Sequence, residues 1–143
     1  MHQCSVARGL KSAAKRVRRS RDEIKLFEMC TLHFKAVRYN EPLVDGWDAD
    51  IIIDEYKLAI LWNGPWHYKQ LAMANHSLSQ VQSRDRIKTK LLTEHGWTVV
   101  AFNDDVYTPT AAMDVILLEV VPRLRLERSI EINKIPSFTT PLS

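Results

Sequence analysis

Only two cysteines occur in this chain, Cys4 and Cys30, far apart and outside any CxxC or Cys/His spacing. That excludes a disulfide scaffold and a structural zinc site. Cys30 falls in an apolar helical stretch and is expected in the core. No stretch of 18 apolar residues is present, and the first residues lack the apolar segment of a signal peptide. The expectation is a soluble intracellular protein, cytoplasmic or DNA-associated, with no membrane partner. No internal repeat or low-complexity block is visible. Acidic residues are missing from positions 1 to 21, which instead hold Arg8, Lys11, Lys15, Arg16, Arg18, Arg19 and Arg21. The net charge of +3 therefore conceals a gradient. The basic end is a candidate phosphate-binding arm, with a solvated tail as the alternative.

A chain of 143 residues, 45% apolar and 26% charged, closes one ordinary core but hardly two. The expected organisation is a basic arm over 1–19, one domain over 20–128 and a tail over 129–143. Ser20-Arg21-Asp22-Glu23 has the form of a capping box, and Ile24, Phe27, Leu32, Phe34 and Val37 supply an apolar face, which predicts a helix from Ser20 to Val37. Asn40-Glu41-Pro42 interrupts it. Residues 48–53, ending in Ile51-Ile52-Ile53, and residues 57–62 read as a hairpin of two buried strands around a polar Asp54-Glu55 connection. Asn63-Gly64-Pro65 stops the second strand, and 66–79 read as a loop. Leu78, Val81, Ile87, Leu91 and Leu92 predict a second helix to His95, closed by Gly96 in a left-handed cap. Residues 97–102 form a third strand. Thr108-Pro109 starts a further helix whose apolar face is Met113, Ile116, Leu117, Val120 and Val121, until Pro122 disturbs it. Pro136, Pro141 and the lack of periodicity predict a non-helical tail from 129. The fold class is α/β in the α+β sense: a mixed sheet flanked by helices. Such an architecture has no unique function, so the site must decide it.

Asp50 stands just before an apolar strand, and the partner strand ends at Trp62 to His67. A carboxylate there is a hard oxygen ligand suited to Mg²⁺, and His67 can accept a proton near neutral pH. Taken singly, the Asp reads equally as a turn residue and the His as packing. On the second helix Asp85 and Lys88 share a face, where a carboxylate can orient a histidine while a lysine meets a phosphate; a solvated ion pair is the plainer reading. Glu23 is also accounted for as the capping partner of Ser20.

As an ordered set these blocks are more specific. Ser20 to Glu23, Asp48-Ala49-Asp50-Ile51-Ile52-Ile53, Leu61-Trp62-Asn63-Gly64-Pro65-Trp66-His67, and Arg84-Asp85 leading to His95-Gly96-Trp97 appear in the order found in the very-short-patch repair endonucleases. The stretch from Ser20 to Asp104 resembles that family and the related EDxHD homing endonucleases, a branch of the PD-(D/E)xK nucleases. The resemblance implies a restriction-endonuclease-like core with Glu23, Asp50, His67 and Asp85 as the catalytic set. It also implies a Mg²⁺ ion, or Mn²⁺ in its place, held by Asp50 and a strand carbonyl near Leu61 or Trp62, for which Leu61 is chosen, with His67 acting on the attacking water. The second-strand acidic residue and x-K of the wider superfamily are absent, since Leu61 and Asn63 occupy that region; the histidine-using branch tolerates this loss. Asp48 is the alternative to Asp50, because alternation points both the same way.

The function expected is metal-dependent hydrolysis of DNA phosphodiester bonds. Arg16, Arg18, Arg19, Lys69, Arg84 and Lys88 would supply backbone affinity, and Trp66 either stacks on a base or packs beneath the loop. Site-specific cutting would call for a homodimer or a DNA-targeting partner. The principal rival is a non-catalytic nucleic-acid-binding module resembling the RAP domains, which have a similar strand, glycine, histidine and Gly-Trp layout. A third reading is a structural protein whose acidic residues all serve caps and ion pairs.

Overall fold

The computed structural model describes residues 21–69 and 77–134, with Trp66 and residues 132–134 described in backbone only. Helix α1 spans Arg21–His33, and its buried residues are Glu23, Leu26 and Cys30. With Phe34, also buried, they follow the i, i+3, i+7, i+11 spacing of one helical face. Leu32, expected on that face, is 83% exposed. Val37 is not helical either: it opens a strand, β1 (Val37–Val44), which the sequence reading did not anticipate.

β1 turns back into β2 (Trp47–Ile53) through Asp45 and Gly46, with φ of 48° and 82°. Two consecutive left-handed residues are what a tight two-residue hairpin needs, and Asp-Gly is among its preferred pairs. β2 pairs antiparallel with β3 (Leu58–Asn63) across a single turn of 3-10 helix, Asp54–Tyr56. Lys57 then takes the left-handed conformation, φ 50°, that ends this turn. Helix α2 (Leu78–Glu94) leads through Gly96, φ 89°, into β4 (Thr98–Asn103), which pairs parallel with β3. Sheet order is β1-β2-β3-β4. The α/β expectation of a mixed sheet flanked by helices therefore holds.

Helix α3 (Pro109–Val115) is capped by Thr108, whose hydroxyl accepts from Ala111 N–H at 3.1 Å, with Pro109 in the first turn. Pro122 does disturb the chain, but it does not end the helix. A π turn over Ile116–Val120 precedes it, with Val121 N–H reaching the Ile116 carbonyl, and α4 continues over Val121–Lys134. Proline has no N–H to offer and its ring crowds the carbonyl four residues back, so one widened turn absorbs the misfit. The expected non-helical tail is thus corrected for residues 129–134, which are helical.

Side chains alternate across the sheet into two layers. Ile51, Ile53, Leu58, Ile60, Trp62 and Phe102 pack against α1, α3 and α4, through Leu26, Cys30, Met113, Ile116 and Leu124. Burial pushes the Cys30 thiol up to about 12, which keeps it unreactive, as its expected place in the core requires. On the opposite face Ile52, Ala59 and Leu61 meet Leu92 of α2, with Trp97 and Val99 beside them. Among the described residues no helix is long and apolar enough to cross a membrane.

Candidate functional site

β2 and β3 pair through Ile53↔Leu58, Ile52↔Ala59 and Ile51↔Ile60, and the pairing stops there. The next inward-facing donor, Trp62 N–H, goes to the Asp50 carboxylate at 2.8 Å instead of to a backbone carbonyl. A side chain has entered the ladder, so the strands diverge at Asp50. Asn40, which lies between Tyr39 (paired with Ile51) and Glu41 (paired with Ala49), has φ 55°. The β1 side of Asp50 is therefore irregular as well.

The phase of the β3–β4 ladder decides which carbonyl of β3 faces Asp50. Thr98 N–H donates to the Lys57 carbonyl at 2.8 Å, and Asp104 N–H to the Asn63 carbonyl at 2.9 Å. In a strand the N–H and C=O of one residue share an edge, and successive residues alternate edges. Lys57, Ala59, Leu61 and Asn63 thus turn their carbonyls toward β4. The Leu61 carbonyl, chosen from the sequence as the ligand beside Asp50, is on the wrong edge. That of Trp62 lies on the same edge as the N–H that Asp50 holds.

β3 ends at Asn63, and Pro65–His67 form a 3-10 turn in which His67 N–H closes on the Gly64 carbonyl at 3.0 Å. The turn delivers His67 to α2. Its Nδ1 lies 2.6 Å from Asp85 Oδ2, and Gln82 Nε2 donates to its carbonyl at 3.3 Å. The helix is fixed at its start by a complete capping box, Ser77 Oγ accepting from Gln80 N–H at 3.1 Å and Gln80 Oε1 from Ser77 N–H at 3.0 Å. Ionised Asp85 can only accept, so the proton of this bond sits on Nδ1 and Nε2 is left as the basic nitrogen. About a third of each side chain is exposed, 32% and 29%, so the pair is held yet reachable.

A groove of about 400 Å³ opens beside it. One wall is the β1–β2 hairpin, Gly46, Trp47 and Asp48; the other is the α2 face bearing Arg84, Asp85 and Lys88, with His67 between. Lys88 Nζ meets Asp48 Oδ1 at 3.0 Å and ties hairpin to helix. Arg84 is exposed and has no ion-pair or hydrogen-bond partner among the described residues. It is a cation available to an anionic ligand, beside a histidine already oriented by a carboxylate.

Of the sequence-predicted residues, the structure brings His67 and Asp85 into contact and sets Arg84 and Lys88 in the same groove. Asp50 stands at the divergence of β2 and β3, while Asp48, the alternative aspartate, is the one that lines the groove. Glu23 is 3% exposed on α1, accepting a hydrogen bond from Tyr39 Oη, in the layer on the other side of the sheet. Among the described residues no three His, Cys, Asp or Glu side chains form a group that could hold a metal ion by themselves. A carboxylate and a main-chain oxygen fit only an ion that keeps most of its waters, which is the habit of Mg²⁺. Lys69 is exposed just beyond the His67 turn. The Ser20 side of the capping box, the arm with Arg16, Arg18 and Arg19, the Trp66 side chain and residues 135–143 lie outside the described residues.

Sequence reasoning missed the hairpin wall and, with it, Trp47. Its signal was present in Asp45-Gly46, a two-residue turn dipeptide between apolar residues. No protein-family model matches the chain, and no curated protein matches it.

Proposed function

We propose that this chain is a metal-dependent DNA endonuclease with a restriction-endonuclease-like core and a histidine-assisted site. The observation that carries this reading is the His67–Asp85 pair, 2.6 Å apart, opening on the groove that Arg84 and Lys88 line. A binding surface needs cations for phosphate but has no use for a carboxylate-oriented imidazole, which is the arrangement of a general base. In the reaction proposed, Asp85 holds the ring in its Nδ1–H form and Nε2 takes a proton from water. The water oxygen forms a bond to phosphorus as one phosphorus–oxygen ester bond breaks, and the departing alkoxide is protonated from solvent. Arg84 contacts the non-bridging oxygens, where charge grows, and Lys88 holds the hairpin wall through Asp48. Mg²⁺, or Mn²⁺ in its place, bound between the Asp50 carboxylate and the Trp62 carbonyl would supply Lewis-acid charge to the phosphate.

The test is plasmid nicking with Mg²⁺ by wild type, Asp50→Ala and His67→Ala. Loss of the general base is expected to slow nicking by about 10²- to 10⁴-fold. Equal nicking by all three would end the assignment, and metal-independent binding without cleavage would move it to a binding module.

A further inference from the structure

We infer that Tyr68 and Asp104 are positioning residues for His67, forming the second jaw of a clamp whose first jaw is Asp85. Tyr68 follows His67 directly, and its hydroxyl donates to the Asp104 carboxylate. Asp104 is itself fixed in place, because its N–H closes the β3–β4 ladder on the Asn63 carbonyl at 2.9 Å and Asn63 Nδ2 donates to Asn103 Oδ1 at 3.1 Å. A Cβ at Gly64 would lie 3.9 Å from Asp104 Oδ2, so the His67 turn passes directly over this carboxylate. Consecutive side chains of one short turn are therefore anchored to different elements, His67 to α2 and Tyr68 to the end of β4. Neither can swing without breaking a bond on its own flank. An ion pair as exposed as His67–Asp85 restrains a ring only weakly by itself, and the Tyr68 anchor supplies what is missing. The Asp104 bond, with smaller contributions from desolvation and nearby carboxylates, pushes the Tyr68 hydroxyl up to about 12. The donor thus stays protonated at any ordinary working pH.

The kinetic consequence rests on His67 being the general base, whereas the geometric one does not. The experiment therefore reads both. Imidazole ¹⁵N shifts of His67 are measured by NMR in the full chain, and nicking kinetics are measured on the same samples, for wild type, Tyr68→Phe, Asp104→Ala and Asp104→Asn. Wild type is expected to show a single Nδ1–H tautomer at neutral pH. Tyr68→Phe and Asp104→Ala should give a tautomer mixture and lower kcat by about ten- to a hundredfold, the size expected for misplacing a reacting group, with KM little changed. Asp104→Asn keeps an acceptor for the hydroxyl and should restore both readouts, which a loss of folding stability alone would not do. If Asp104→Ala fails to fold, Tyr68→Phe carries the comparison. An unchanged His67 tautomer in folded Tyr68→Phe overturns the clamp, whatever the kinetics. Absence of nicking in every sample, with the tautomer still shifting in Tyr68→Phe, supports the clamp and removes the nuclease reading.

Discussion

The two faces of the sheet are built differently. Toward α1, α3 and α4 the strands present Ile51, Ile53, Ile60, Trp62 and Phe102 to three helical segments, in a continuous apolar layer where Glu23 is the buried charged residue among those described. Toward α2 the apolar layer is thin, with Leu92 as the buried residue of the helix, and it gives way along α2 to Asp85, Arg84 and Lys88 around the groove. The tightly packed face holds the larger core, which leaves the other to carry charges and an open groove.

The strongest way to break this comparison is to remove a large side chain from each layer. Phe102→Ala, on the thick side, is expected to cost about 3–5 kcal/mol, and Leu92→Ala, on the thin side, about 2 kcal/mol. Urea unfolding of both variants measures this, and equal losses would mean that the α2 layer bears as much of the fold as the other.

A smaller effect is expected in the groove. Arg84→Ala should leave the unfolding midpoint within experimental error, since the side chain is exposed and unpaired among the described residues. It should weaken DNA binding and make the slope of log K against log salt shallower by about one, the signature of one lost phosphate contact. An unchanged slope would remove Arg84 from the interface.

The smallest effect is at the edge of the site and appears only in alkali. Because the folded-state pKa of Tyr68 is raised, to about 12, its hydrogen bond contributes stability that is whole below the ordinary tyrosine pKa, roughly 10. That contribution is lost as pH rises through the folded value. In a tyrosinate absorbance titration the Tyr68 signal, taken as wild type minus Tyr68→Phe, should appear about two pH units above the ordinary value. A Tyr68 signal near the ordinary value would contradict the Tyr68–Asp104 bond.

Much of the scaffold could be read directly from the chain. Thr108-Pro109 opened a helix and Gly96 closed one, and the hairpin from Asp48 to Trp62 and the strand beginning near Trp97 lie where periodicity put them. β1 was overlooked for a physical reason. Phe34 extends the α1 face, so helical spacing appears to run on into Val37, whereas Asp45-Gly46 demands a strand on each side. The continuation of α4 past Pro122 was also hidden, since a proline stops a helix unless a wider turn takes up its displacement.

What the sequence determined by itself was the local part: which segments are apolar with period two or period 3.6, where turns and caps fall, and that His67 and Asp85 are a base and a carboxylate of suitable kind. Tertiary structure alone decided that these two meet across 18 residues, that Asp48 rather than Asp50 lines their groove, and that Asp104 reaches Tyr68 across 36. It likewise decided that Trp62, not Leu61, turns its carbonyl toward Asp50. The physical reason is common to all four. Periodicity specifies a residue's face within its own element, whereas ladder phase and the seating of a helix on a sheet depend on pairings between elements distant in sequence.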